Sequence, residues 1–544
     1  MKSLYLLMLV GILCILQSCS LDEVNNRMPV ADTYYVTEEG ARKLVNSVYS
    51  YSQKLYEHQM WQFTENGTDL WMRGGDGETR INNYTLDASL GQVKDVWNSC
   101  YEGITAANTL LSRAENIEAS EEVVSNYMGQ AYFLRAFYYH VLVMQFGDLP
   151  LVLDEVTQVE TVATRTTEAD IYKQIIKDLL EAERLLPDMQ NDNGRATRTA
   201  AQTLLARVYL WNAEYENAAE YALKVIAKTD QVGLLDDYAD LWNPANQKNK
   251  EFIWCVQGSS NDTYNQARSW VNHLFCVRYD LHGADYGMVR DIANGRPYRH
   301  FMPTRHLINM MNERLAWDNR IRKSFKWVWY VNDESKTKKN PGAVVGDTAL
   351  FVPPYKVTEA QRKWAEGKYR IEDVDEYFDP SSSNGEQTLG PREMFPQLTK
   401  YMDPTRATTG ECSTLDIPVL RLGEAYLIAA EALLQCGKPE KGVEYVNALI
   451  KRATDSDADY DAHKIKASDL SIDVILDERA IELCAETAGR WPDLKRTGKL
   501  LDLVREYNVD ARNNIQEKHL LRPIPEEMLD RVTNKDTFKQ NPGY

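Results

Sequence analysis

One design of helix pair is written into this chain twice, and it constrains the fold more than any other feature. From Thr203 to Ala222, small residues at Ala206, Ala218 and Ala219 accompany Tyr209 and a short turn near Tyr215. The plan returns in the last third: Ala206 matches Ala430, Glu220-Tyr221 matches Glu444-Tyr445, and Ile226 matches Ile450. Small side chains let paired helices approach closely, and stacked pairs bury a core that one pair could not bury alone. Apolar periodicity extends the pattern upstream. Leu44, Val48, Tyr51 and Leu55 fall on one stripe, and Val96, Ile104, Ala107, Leu110 and Leu111 mark a second helix. Tyr127 to Phe146 is apolar nearly all round, which predicts deep burial; Gly147-Asp148-Leu149-Pro150 stops it. Ile171, Ile175, Leu179, Ala182 and Leu186 give a further amphipathic helix, closed by Pro187.

These patterns predict a mostly α fold, a tetratricopeptide-like scaffold of about four helix pairs, roughly 94–146, 168–228, 421–453 and 472–505. Between Gln231 and Pro418 the character changes: the stretch is rich in Gly, Pro, Asn and Trp, with loops marked by Pro341-Gly342, Pro353-Pro354 and Ser381 to Gly385. One helix, about Thr304 to Phe325, interrupts it. So long an insertion is expected to be a large irregular, loop-rich subdomain with short strands, carrying the binding work.

The N-terminus supplies an address. Lys2 precedes an apolar run from Leu4 to Leu16. Thirteen helical residues reach about 20 Å, short of a hydrocarbon core of roughly 30 Å, so the run is a secretory signal and not a span. It ends in Leu16-Gln17-Ser18-Cys19, which resembles a bacterial lipobox, with Cys19 the acylated mature N-terminus and Ser20-Leu21-Asp22-Glu23 similar to a surface-export signal. The expected organisation is therefore a signal peptide (1–18), a lipid-anchored tether (19–30), an N-terminal helical region (31–230), the irregular ligand-binding subdomain (231–417) and a C-terminal helical region (418–544).

Composition excludes several functions. A net charge of -18 repels phosphate backbones, which argues against nucleic-acid binding. The cysteines are scattered without CxxC pairs, and His140 lies in an aromatic helix as a core residue would, so no metal site or cofactor is expected. No Gly-rich phosphate loop, HExxH or GxSxG motif appears. Glycoside hydrolysis would need two carboxylates facing across a cleft about 5–10 Å apart, and nothing in the sequence places such a pair.

Several ordered phrases resemble the SusD/RagB family of glycan-capturing outer-membrane lipoproteins. They are Asp416 to Leu433 (DIPVLRLGEAYLIAAEAL), Asp477 to Leu483 followed by Gly489 to Arg496, Leu521 to Pro525, and the terminal Gln540 to Tyr544. Upstream, Ala131 to Tyr139, Phe146 to Leu151, Pro303-Thr304 and Asp318-Asn319-Arg320 are similar in the same order. The resemblance implies a non-enzymatic lipoprotein that binds an oligosaccharide and passes it to a SusC-like TonB-dependent transporter; some relatives serve peptide uptake instead. Charged residues on apolar helices (Arg135, Glu424, Glu431, Glu478, Arg479, Arg490) are expected to be paired structural groups, since an unpaired buried charge costs several kcal/mol.

Sugar rings offer an apolar C–H face and a rim of hydroxyls, so a glycan platform wants flat aromatics flanked by polar side chains. The chain has 12 Trp and 31 Tyr against 12 Phe. Three clusters qualify: Trp71 and Arg73 before a Gly-rich turn; Trp270, Tyr279, Tyr286, Arg296 and Tyr298; and Trp327, Trp329 and Tyr330, where alternation puts Trp327 and Trp329 on one strand face. The competing expectation is that these rings fill the subdomain's own core. Trp97, Trp211 and Trp491 lie in helical phrases and are expected to pack.

Overall fold

The computed structural model describes residues 31–57, 59–192, 194–259, 269–381, 388 and 390–544. The signal segment, the tether and Cys19 lie outside these. Helices α1 (Glu38–Tyr56), α2 (Gly91–Arg113), α3 (Glu121–Phe146), α4 (Glu168–Leu185), α5 (Arg198–Trp211) and α6 (Tyr215–Ile226) stack one against the next. In the middle region stand α7 (Arg305–Arg314) and α8 (Glu359–Ala365); the stack resumes with α9 (Leu422–Gln435), which packs on α6, then α10 (Pro439–Ala453) and α11 (Ile472–Glu482).

The ends of these helices follow from their sequence. Thr37 and Ser120 cap α1 and α3 by accepting the N–H groups of Gly40 and Val123, and each helix opens with two glutamates at its positive end. Gly147 ends α3 with a left-handed φ of 70°. Close approach is set by Gly103 on α2, where a Cβ would stand 2.4 Å from the Tyr138 ring of α3. Two corrections concern register. The stack starts one helix earlier than expected, because α1 packs on α2; 94–146 is thus part of a longer run, and 168–228 holds three helices. The helix expected over Thr304 to Phe325 is two, α7 and Asn319–Ser324, with Asp318 capping the second.

The middle region contains only short strands. β1 (Trp71–Arg73) pairs antiparallel with β3 (Phe301–Pro303), and β2 (Phe252–Val256) with β9 (Ile417–Arg421). β4 (Phe325–Lys326) pairs with β8 (Gln397–Leu398), while β5 (Val328–Tyr330), β6 (Thr348–Phe351) and β7 (Arg370–Ile371) make a three-stranded sheet. β2 fastens the region to the stack: Trp254 is buried edge-on against Phe133 and Phe137 of α3.

Each charged residue singled out on an apolar helix has its partner. Arg135 grips Asp178 of α4 through two bonds of 2.7 and 2.8 Å. Arg207 holds Glu424 at 2.8 Å, Arg496 holds Glu431 at 2.8 Å, and Arg490 holds Asp69 at 2.7 Å. Arg479 bonds Asp493 at 2.5 Å. Arg320 contacts Asp318, Glu478 and Glu482 at 2.6–2.8 Å, and Arg421 joins Glu251, Glu482 and Glu486. Burial alone would raise the Glu482 pKa, but Arg452, Arg421 and Arg320 hold it well below the usual carboxylate range. The carboxylates of these pairs are closed inside the core.

Candidate ligand-binding site

The structure brings three of the sequence candidates together. Trp270 caps the short helix Val271–Leu274, and its backbone N–H donates to Glu57 O, just past α1. Its ring stacks on Tyr298 with centroids 5.7 Å apart, and Tyr298 stacks in turn on His300 at 5.6 Å. The Arg296 guanidinium lies 5.1 Å from the centroid of the Tyr298 ring. All four side chains are half-buried.

The ladder is held from behind. His273 is fully buried and touches both Trp270 and Tyr298. Its Nδ1 accepts the Arg296 N–H at 3.3 Å, so its Nε2 is the protonated nitrogen and donates to Glu411 O at 2.9 Å. Burial first, then the Arg406 charge, pushes its pKa down to about 4, which keeps the ring neutral. Gly295 turns the chain with φ of 80° where a Cβ would meet Cys276 Sγ at 2.7 Å. Tyr279 donates its hydroxyl to Gly295 O at 2.7 Å.

Tyr279 is therefore a buried support for the loop and not a surface contact. Trp71 is also withdrawn from the surface: it is core, stacked on Phe325 and edge-on to Phe275. Arg73 lies apart from the ladder; its N–H donates to Asn82 and its carbonyl accepts from Arg392. Trp329 points inward and is sealed, Trp327 is half-buried before β5, and Tyr330 faces solvent at 53% exposure. Tyr286 stands in a separate hollow beside α8. Trp97 and Trp491 pack in the core, and Trp211 is half-buried against His140.

Beside the ladder runs a groove of about 1210 Å³ between α1, α2 and the segments around 194–195 and 255–259. Glu57, whose carbonyl O accepts the Trp270 backbone N–H, forms part of the groove wall. The lining is polar: Asn46, Gln53, Asn98, Arg195 and Gln257 contribute amide and guanidinium groups. Gln53 donates to Gln257 O at 2.8 Å, and Arg195 bonds Asn46 while covering the Tyr49 ring. Sequence reasoning missed this wall and also His273 and His300. Polar positions on an amphipathic helix look like any solvated face, so no local signal could have marked them. Among the described residues no group of three His, Cys, Asp or Glu is arranged to hold a metal ion.

The comparisons agree with this architecture. Residues 21–210 match a family model described as starch-binding and associating with the outer membrane, and residues 250–544 match the model of the SusD family. The chain belongs to the SusD family. SusD-like protein P25 of Formosa agariphila is 26% identical over 536 residues, covering 94% of this chain and 93% of that protein. SusD-like protein P2 of the same organism is 27% identical over 490 residues, 88% of this chain and 86% of its own. The crystal structure of a SusD homolog from Bacteroides thetaiotaomicron superposes with a TM-score of 0.72 at 18% identity, covering 94% and 98% of the two chains. A laminarin-binding SusD-like protein superposes at 0.66 and 22%, covering 93% and 100%. These likenesses show the SusD fold. No described helix is long and apolar enough to cross a membrane.

Proposed function

We propose that this SusD-family protein is a lipid-anchored, surface-exposed lipoprotein that captures oligosaccharide without cleaving it and delivers it to a SusC-like TonB-dependent transporter. Residues 231–417 supply the aromatic ladder, and the helical region before them supplies most of the groove wall. The observation that carries the reading is the Trp270–Tyr298–His300 ladder opening beside a polar groove. The rings suit the C–H faces of successive sugars, and Arg296 and the groove amides suit their hydroxyls. The groove exceeds the roughly 300–1,000 Å³ that small-molecule sites occupy, which favours a chain of several sugars. Two or three stacking contacts of about 0.5–1.5 kcal/mol each give weak single-site affinity, offset on a repetitive polymer by avidity.

Titration calorimetry against a panel of soluble glycans, laminarin included because a relative in fold binds it, and against a peptide digest tests the reading. Trp270→Ala is expected to weaken glycan binding by about tenfold, the loss of one good stacking contact. Binding confined to peptides, release of reducing sugar by the purified protein, or an unchanged affinity for Trp270→Ala would each overturn it. Cys19→Ala is expected to yield folded protein that fractionates away from the outer membrane; its retention there would remove the lipid anchor from the account.

A further inference from the structure

The helix α8 carries a second aromatic surface that the site above does not use. Thr358 and Gln361 close a capping box at its start, each accepting the other's N–H at 3.2 and 2.8 Å. At its end the chain turns through Gly367, φ 71°, and the N–H groups of Lys368 and Tyr369 fold back onto Ala365 O at 2.9 and 3.1 Å. This tight return gathers Trp364, Lys368 and Tyr369. The Trp364 and Tyr369 rings meet edge to face at 5.9 Å, and Lys368 Nζ sits 3.9 Å from the Trp364 centroid. Trp364 is nonetheless 62% exposed, more than any other aromatic among the described residues.

A hollow of about 450 Å³ lies between α8, β7 and Tyr286; Tyr369 lines it, and Trp364 reaches its edge only through the contact with Tyr369. Arg362 and Arg370 in its wall are committed to Asp373, Glu376 and Glu372. Glu359, Lys363 and Glu366 also line it, and their side chains make no hydrogen bond or ion pair among the described residues. A large ring held in water by a stiff turn, beside unengaged acceptors and a donor, does not fit the needs of the core. Glu359 and Glu366 repel phosphate, and the charged lining rejects a lipid tail. Neutral sugar meets both halves of the chemistry, a face for the ring and hydroxyls for the charged groups.

We propose that Tyr369 and Tyr286, with Glu359, Lys363 and Glu366, line a second glycan-binding site at whose edge Trp364 stands, so that each molecule holds a polysaccharide at two points. This rests on the glycan-binding reading above. On a polymer with many repeats both sites engage at once, which raises apparent affinity without new contacts at either.

Affinity electrophoresis through gels containing the bound polysaccharide, paired with calorimetry on a short oligosaccharide of the same glycan, tests it. Wild type is expected to bind two equivalents of the oligosaccharide, and in Trp364→Ala and Trp270→Ala one of the two is expected to bind about tenfold more weakly. Each single variant should be retarded by the polymer about tenfold more weakly, and the double variant more weakly than either. Glu366→Gln with Lys363→Ala, exposed positions that leave the rings in place, should reproduce a smaller part of the Trp364→Ala loss. Retardation of Trp364→Ala equal to wild type, with Trp270→Ala impaired, would overturn the second site alone. A wild-type protein retarded by no glycan would overturn the glycan reading together with it.

Discussion

Two arginines of the middle region show how differently this chain treats its charges. Arg320 is sealed among Asp318, Glu478 and Glu482, all fully buried. Arg296 is half-exposed, lies over the Tyr298 ring, and has no carboxylate partner among the described residues. The first belongs to a lattice that welds the middle region to α10 and α11. The second belongs to a loop whose backbone is pinned by neutral groups, the His273 ring and the Tyr279 hydroxyl. The contrast separates scaffold from site: saturated polar groups fix the geometry, and unsaturated ones at the surface await a ligand.

The sharpest test of that contrast is Glu482→Gln. It leaves Arg320, Arg421 and Arg452 one buried anion short, and the expected loss is about 3–5 kcal/mol of folding stability, measured by denaturant unfolding. A variant as stable as wild type would mean that the lattice is not the weld described. Next in size is Tyr279→Phe, which leaves Gly295 O without its 2.7 Å hydrogen bond. About 1 kcal/mol of stability and a few-fold loss of glycan affinity are expected, since the loop loosens without losing a contact residue. An intact affinity would show that the loop needs no such support.

The smallest effects are those of pH, and two histidines are predicted to act in opposite directions. His273, with its pKa pushed down to about 4, stabilises the neutral ladder above pH of about 6.5, the ordinary value. That contribution is lost as pH falls from 6.5 towards 4, so glycan affinity should be flat above 6.5 and decline below. His282 lies between Glu372 and Glu393 at 2.5 and 2.9 Å, with Arg370 and Arg299 bound to the same carboxylates. Burial would lower its pKa, but the two glutamates raise it above the ordinary value. Its stabilisation is complete below pH of about 6.5 and fades as pH rises through the raised value. Melting curves of wild type and His282→Gln should therefore converge on the alkaline side. Convergence on the acid side would contradict the assignment.

Much of the scaffold was legible in the sequence because its signals are local and periodic. The small residues at Ala206 and Ala430 do sit where α5 and α9 pack against their partners, and Arg135 has the carboxylate its apolar setting demands. The aromatic site was only half legible. Trp270, Arg296 and Tyr298 converge, but Trp71, Tyr279 and Trp329 carry the same kind of sequence signal and are core. Composition cannot tell a ring that packs inward from one that faces water when both lie in Gly-rich, non-periodic chain. Trp364, the most exposed ring described, went unmarked because nothing in its short helix distinguishes it.

The amino-acid sequence by itself determined the helical stack, the family and the obligation of each buried charge to find a partner, because periodicity and the cost of desolvation act through neighbours and residue type. Which partner each charge found, and which rings stayed at the surface, was decided only by the tertiary structure. Asp69 meets Arg490, and Glu57 meets Trp270, across long stretches of chain, and those meetings are fixed by how the stack and the middle region close on each other.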